Sequence, residues 1–214
     1  MAAEARGYRA MTAQRTLDVS HLPMFEISSN APLWWGQIFL AFIEGTMFCI
    51  LIAMYFYIRL NVDVWPPPGI QLPHELLPAI ELALLIASCA GSYIASEAAK
   101  KNDRGGIIGG MVLNVVLALA ALALRAAAWH SWNFRWDSGA YGSITWAILF
   151  LHTLDVVADL IFTLALVFFA AFGAYGPRVR LGVHVDSVVW YFLVAIWIPL
   201  YVTVYWGPHI VGAP

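Results

Sequence analysis

Five long apolar segments alternate with short polar loops along the chain. The first, residues 33–60, would rise roughly 42 Å as a helix, more than the roughly 30 Å of a bilayer hydrocarbon core. The other four run over about 73–100, 105–129, 143–172 and 187–206. This pattern predicts an all-α membrane protein, a five-transmembrane-helix bundle, because each segment is long enough to cross a membrane as a helix.

The polar residues divide the chain further and indicate its orientation. A polar N-terminal segment, 1–32, precedes the five-helix domain, 33–207, and a short tail, 208–214, follows it. The first segment contains no apolar stretch with a small-residue cleavage site, so we expect no removable signal peptide.

With the N-terminus inside, eight of the eleven Lys and Arg residues lie on the inner side. The positive-inside rule therefore predicts a cytoplasmic N-terminus and an external C-terminus in a cell inner membrane.

The composition excludes several classes of protein. The chain is 62% hydrophobic and only 11% charged, too little charge to cover the surface of a soluble domain of this size. A net charge of −2 without a basic patch predicts no binding of nucleic acid. Cys49 and Cys89 both fall in apolar segments without metal-ligand spacing, so we expect neither a disulfide framework nor a cysteine metal site.

Ionisable side chains inside the spans are the candidate functional residues, because burying an unpaired charge in a bilayer costs several kcal/mol. Glu44 lies near the middle of the first span, and we expect it to be neutral or hydrogen-bonded to the fourth span. His152, Asp155 and Asp159, at i, i+3 and i+7, share one face of the fourth helix. They are compatible with a hydrogen-bonded cluster, a proton or ion path, or part of a metal site, although no other span offers a matching Glu-x-x-His set.

Two further intramembrane charges are expected to pair. Glu81 and Arg125 both lie in the outer halves of their spans, so we predict a salt bridge between them. Histidines that ligate haem or copper inside a bundle must lie deep in the spans, and only His152 does so. The other histidines considered as ligands are expected in loops or at span ends. The chain is therefore expected to hold no haem, copper or other metal of its own. These peripheral histidines are His74, His130, His184 and His209.

Five motifs follow one another between Trp34 and Gly207. They are Ile43-Glu44, the turn Trp65-Pro66-Pro67-Pro68-Gly69-Ile70, residues 84–88 with Gly91-Ser92, Tyr141-Gly142-Ser143, and residues 200–207. Through their order and spacing the chain resembles subunit III of the haem-copper oxidases, the cytochrome c and quinol oxidase family. It resembles a divergent, five-helix version that lacks the first two helices of longer members.

The chain departs from the family pattern at three places. Asp155 stands where the family motif H-x-x-H-V has its second histidine, and Ala128 stands where members commonly have a glutamate. The last span, over 188–194, lacks the histidine and the aspartate of the family's W-Y-W-H-x-x-D. These departures indicate a divergent branch.

The resemblance implies a non-catalytic, metal-free subunit of a proton-translocating terminal oxidase in aerobic respiration. Such a subunit packs against subunit I, with subunit II also a partner, and haem and copper are expected in those partners. It stabilises subunit I, supports oxygen and proton delivery, contacts membrane lipids and holds phospholipid in a cleft. Glu44 would be the buried cleft carboxylate and His152 the retained histidine.

Two alternatives stay open from the sequence. The same resemblance allows a subunit III-like component of a nitric oxide reductase. A free-standing proton or ion transporter would use Glu44, Asp155 and Asp159 as relay groups, although the chain has no internal repeat of the kind common in transporters.

Overall fold

The structure, a computed structural model, describes residues 32–173 and 176–210. Its five long helices are α1 (Pro32–Leu60), α2 (Leu76–Lys100), α3 (Arg104–His130), α4 (Ala140–Ala171) and α5 (Pro177–Tyr201). Helix α5 continues into a π-helical segment (Val202–Trp206) and a last helical turn, α6 (Gly207–Ile210). Five helical segments are long and apolar enough to cross a membrane, and no strand occurs in the described ranges. The predicted five-helix fold class is confirmed. Residues 1–31 and 211–214, which make up most of the predicted end segments, lie outside the described residues.

The fifth span begins earlier than the hydrophobic pattern predicted. The expected start was residue 187, but α5 begins at Pro177. Proline suits the first position of a helix because its missing N–H has no helical partner there. The sequence prediction failed here because Arg178, Arg180 and Asp186 interrupt the apolar run in the first turns of the helix. The starts of α2 and α4 each differ from the predicted starts by three residues.

The histidine at position 184 is also placed differently from the prediction. His184 was expected in a loop or at a span end, but it lies inside α5. Its Nδ1 lies 2.9 Å from the hydroxyl of Ser96 on α2. The earlier start of α5 therefore brings an additional polar contact between two helices.

The α2–α3 pair and the contacts of α5 with three other helices hold the bundle together. The α2–α3 pair is the most extensive, and α5 contacts α1, α2 and α4. Glycine allows the close approach of α2 and α3, because a Cβ atom at Gly91 would come within 2.7 Å of the carbonyl oxygen of Gly110. Helix α1 packs mainly against α4 and α5, and its two buried residues, Phe48 and Tyr55, lie in its C-terminal half.

The proline-rich connection after α1 joins that helix to the rest of the bundle. Trp65 is 8% exposed, and its ring meets the rings of Tyr55 and Tyr141 edge-on, with centroids 5.3 and 4.8 Å apart. The Trp65 indole nitrogen donates to the Tyr55 hydroxyl at 3.1 Å. Gly69 has a φ of 92°, which favours glycine, and its carbonyl oxygen accepts from Asn133 at 2.8 Å. This turn fixes the C-terminal end of α1 against α4 and the α3–α4 loop.

Candidate intramembrane polar sites

A buried arginine connects four helices. The Arg125 side chain on α3 donates from Nε to Glu81 Oε1 on α2 at 2.8 Å, and its Nη2 contacts the same oxygen. Its Nη1 lies 2.7 Å from Thr153 Oγ1 and 3.1 Å from His152 Nδ1, both on α4. The guanidinium carbon lies 4.1 Å from the ring centroid of Trp197 on α5. The structure thus brings Glu81 and Arg125 together in the core of the bundle, where both are nearly inaccessible to solvent.

Both ring nitrogens of His152 have partners. Its Nε2 lies 3.0 Å from the carbonyl oxygen of Leu193, which only a protonated Nε2 can satisfy. We therefore assign the neutral tautomer whose Nδ1 accepts from Arg125. The ring stacks on Trp197 with centroids 4.8 Å apart. With both nitrogens hydrogen-bonded, His152 serves as a link between α3, α4 and α5 and has no free nitrogen for a metal ion.

The three other sequence-predicted polar residues line a cavity. Glu44 of α1 and Asp155 and Asp159 of α4 face a space of about 360 Å³ between α1, α4 and α5. Asp155 is half-buried, whereas Asp159 is 7% exposed. Among the described residues that line this space there is no lysine, arginine or histidine. The three residues that the spacing placed on one face of α4 therefore belong to two sites. His152 contacts Arg125, whereas Asp155 and Asp159 line the cavity.

Sequence reasoning missed Asp186. This residue of α5 is 3% exposed, and its Oδ1 lies 2.9 Å from the hydroxyl of Thr163 on α4. Asp186 is an electrostatic neighbour of Asp159. It was overlooked because the fifth span was predicted to begin one residue after it. The buried residues Val183 and Trp190 stand at helical spacing around Asp186, and this periodicity could have revealed it as a buried position.

The arrangement of ligand-type side chains bears on cofactors. Within the part of the chain that the structure describes, no group of three or more His, Cys, Asp or Glu side chains is arranged to hold a metal ion. The polar residues instead form hydrogen bonds between helices or line the cavity.

These features define an all-helical, multi-pass membrane protein whose buried polar groups join helices. The profile of the family described as "Cytochrome c oxidase subunit III" matches residues 1–208. The chain therefore belongs to the cytochrome c oxidase subunit III family, which confirms the family predicted from the sequence motifs.

Several curated proteins resemble the chain. Cytochrome c oxidase subunit 3 of Cyanidium caldarium is 23% identical over 206 residues, which cover 93% of this chain and 74% of that protein. The subunits 3 of Rhizopus stolonifer and Struthio camelus are each 28% identical over 144 residues, or 66% of this chain. Those matches cover 50% and 55% of the two relatives. The chain thus spans about half the length of most curated relatives that it matches.

Proposed function

We propose that this chain is the accessory subunit III of a haem-copper terminal oxidase of the cytochrome c oxidase type, in a cell inner membrane. The observation that carries the proposal is the family match over residues 1–208. In this role the chain binds subunit I, with subunit II in the same complex, and it stabilises subunit I and supports oxygen and proton delivery. Haem and copper belong to the partner subunits.

The outer surface of the bundle is compatible with contacts to lipid and to other subunits. Helix α1 presents a broad apolar face, and in a bilayer such a face contacts lipid or another subunit. We propose that membrane lipids, including a bound phospholipid, cover the part of this face that no partner subunit covers. The large exposed residues on α1 include Trp35, Phe39, Phe42, Ile43 and Ile50.

Purification from the native membrane tests the proposed assembly. The tagged chain is isolated in mild detergent, and its partners are identified by mass spectrometry and a reduced-minus-oxidised optical spectrum. The expected result is a haem-bearing large subunit and oxygen consumption by the complex, with untagged membranes as the control. A complex that reduces nitric oxide and not oxygen would assign the chain to a nitric oxide reductase. A colourless chain without partners would favour the transporter alternative.

We further propose that the N-terminus is cytoplasmic. The test places single cysteines at Lys101, in the α2–α3 loop, or at Asp137, in the α3–α4 loop, in a background in which Cys49 and Cys89 are serine. Both positions are exposed. A membrane-impermeant maleimide applied from outside should label D137C in intact cells and K101C only after permeabilisation. The reverse pattern would invert the proposed orientation.

A further inference from the structure

Four carboxyl groups gather at one place inside the bundle. Glu44, Asp155 and Asp159 line the cavity between α1, α4 and α5, and the hydroxyl of Thr163 joins Asp186 to the backbone of Asp159. Asp155 and Asp159 are one helical turn apart on α4 and therefore share a face. Among the residues that the structure describes, the charged groups with an electrostatic effect on Asp159 are the acidic Asp186 and Glu44. Mutual repulsion thus opposes ionisation of the whole group.

Asp159 is a buried carboxyl group that lacks a donor at one oxygen. It is 7% exposed, and its Oδ2 has no hydrogen-bond partner among the described residues. The hydroxyl of Thr163 lies 2.9 Å from Asp186 Oδ1 and 3.0 Å from the backbone oxygen of Asp159. A single hydroxyl proton is therefore shared between these two acceptor oxygens. An ionised carboxylate without a donor costs several kcal/mol when buried. Two neighbouring buried carboxyl groups do not both ionise readily for the same reason.

Among the residues that the structure describes, three basic side chains on the neighbouring helices face other groups. Arg125 of α3 pairs with Glu81, and Arg104 of α3 donates to the carbonyl oxygen of Ala170 at 2.7 Å. His184 of α5 faces α2, where it meets Ser96. Arg178 and Arg180 belong to the first turn of α5, and Arg180 lies roughly 9 Å along the helix axis from Asp186. A proton is therefore the simplest positive charge to balance the carboxyl groups.

The cavity is large enough to admit water to these groups. A water molecule occupies about 30 Å³ of liquid, so a space of about 360 Å³ corresponds to the volume of about twelve water molecules. Its wall runs from Leu33 and Gln37, in the first two turns of α1, to Glu44 in the middle of that helix. The cavity therefore extends towards the membrane face at which α1 and α5 begin and α4 ends.

We propose that Asp159 and Asp186 form a proton-binding pair that holds one proton at neutral pH and exchanges it, through this cavity, with water at the N-terminal face of α1. Glu44 and Asp155 lie along the route and pass protons between the pair and the water. This site belongs to the chain itself and does not depend on the proposed accessory role. Its test therefore uses a spectroscopic signal and not oxidase activity.

Infrared difference spectroscopy tests the proposal directly. The full chain, in the membrane complex from which it purifies, is recorded in lipid nanodiscs at neutral pH, and the spectrum of Asp159→Asn is subtracted from that of the wild type. We expect the carbonyl band of a protonated carboxylic acid in this difference, and a downshift of the band in D2O. The matched control, Asp137→Asn, changes an exposed loop aspartate and should remove only an ionised carboxylate signal.

Each other outcome overturns the proposal. Difference spectra of Asp159→Asn and of Asp186→Asn that both show only carboxylate bands would mean that the pair is ionised, and an acid band unaffected by D2O would mean that the proton does not exchange. If the band disappears when sodium replaces choline in the buffer, the site binds a cation instead. Should Asp159→Asn fail to fold, Asp186→Asn replaces it and must change the frequency of the acid band, and an unchanged band would refute the pair.

Discussion

Replacing Arg125 by alanine should strongly destabilise the bundle. Arg125 is 2% exposed, and its removal would leave the buried Glu81 carboxylate without its cationic partner. The change would also remove the hydrogen bonds to His152 and Thr153 and the contact with the Trp197 ring. Breaking a buried ion pair from one side costs about 3–5 kcal/mol. For a chain of this size that cost corresponds to a fall of roughly 6–20 °C in the melting temperature.

The measurement compares two arginine-to-alanine variants. The fraction of folded protein after heating is followed by size-exclusion chromatography of the fluorescently tagged chain in mild detergent. Arg135→Ala is the matched control, because Arg135 forms an ion pair with Asp137 in which its side chain is 74% exposed. Removing such an exposed pair costs about 0–1 kcal/mol, so the control should melt close to the wild type.

A double-mutant cycle separates the ion pair from the lost packing. Combining Arg125→Ala with Glu81→Gln removes the unpaired carboxylate, so the double variant should be more stable than the sum of the two single effects predicts. Strict additivity, or an Arg125→Ala variant that melts with the wild type, would refute the argument that this pair joins the helices.

Two further predictions concern the cavity and the α2–α3 contact. Glu44→Gln should leave assembly and melting unchanged but alter sustained turnover of the complex if this carboxyl group passes protons. The control Thr46→Val, on the exposed side of the same helix, should change neither stability nor turnover. Equal turnover of all three proteins over many cycles would mean that Glu44 is only a packing residue. Gly110→Ala should destabilise the chain by about 1–3 kcal/mol in the same heating assay, because its Cβ would come within 2.6 Å of backbone atoms of α2. Gly109→Ala meets no atom within 4 Å and should be neutral or slightly stabilising, so equal effects of the two changes would contradict the close helix contact.

The sequence was sufficient to predict the helices because bilayer-spanning segments must be long and apolar. The same criterion failed at the start of α5, where Arg178, Arg180 and Asp186 precede the uninterrupted apolar run. Hydropathy averages over a window and cannot distinguish a polar loop from a helix whose first turns carry charges. Helical periodicity of the buried positions, such as Val183 and Trp190, distinguishes the two.

The polar sites were only partly accessible to sequence reasoning. The depths of Glu81 and Arg125 along their spans were enough to suggest their contact, because a buried charge requires a partner. The spacing of His152, Asp155 and Asp159 gave their common face, but a helix face borders several neighbours. Which of the three residues meets α3 and α5 and which meets α1 depends on tertiary packing, and so does the pairing of Asp159 with Asp186.

The anchoring of α1 at one end has a mechanical consequence. Tyr55 and Trp65 fix its C-terminal end against α4, while its N-terminal half stands beside the cavity. Leu33, near the opposite end of the helix, lies roughly 33 Å from Tyr55 along the axis. A tilt of α1 by about 5° about Tyr55 would displace Leu33 by about 3 Å, comparable to the diameter of a water molecule. Such a tilt, arising at the aromatic turn on one side of the membrane, would therefore change the width of the space beside Leu33 on the other side.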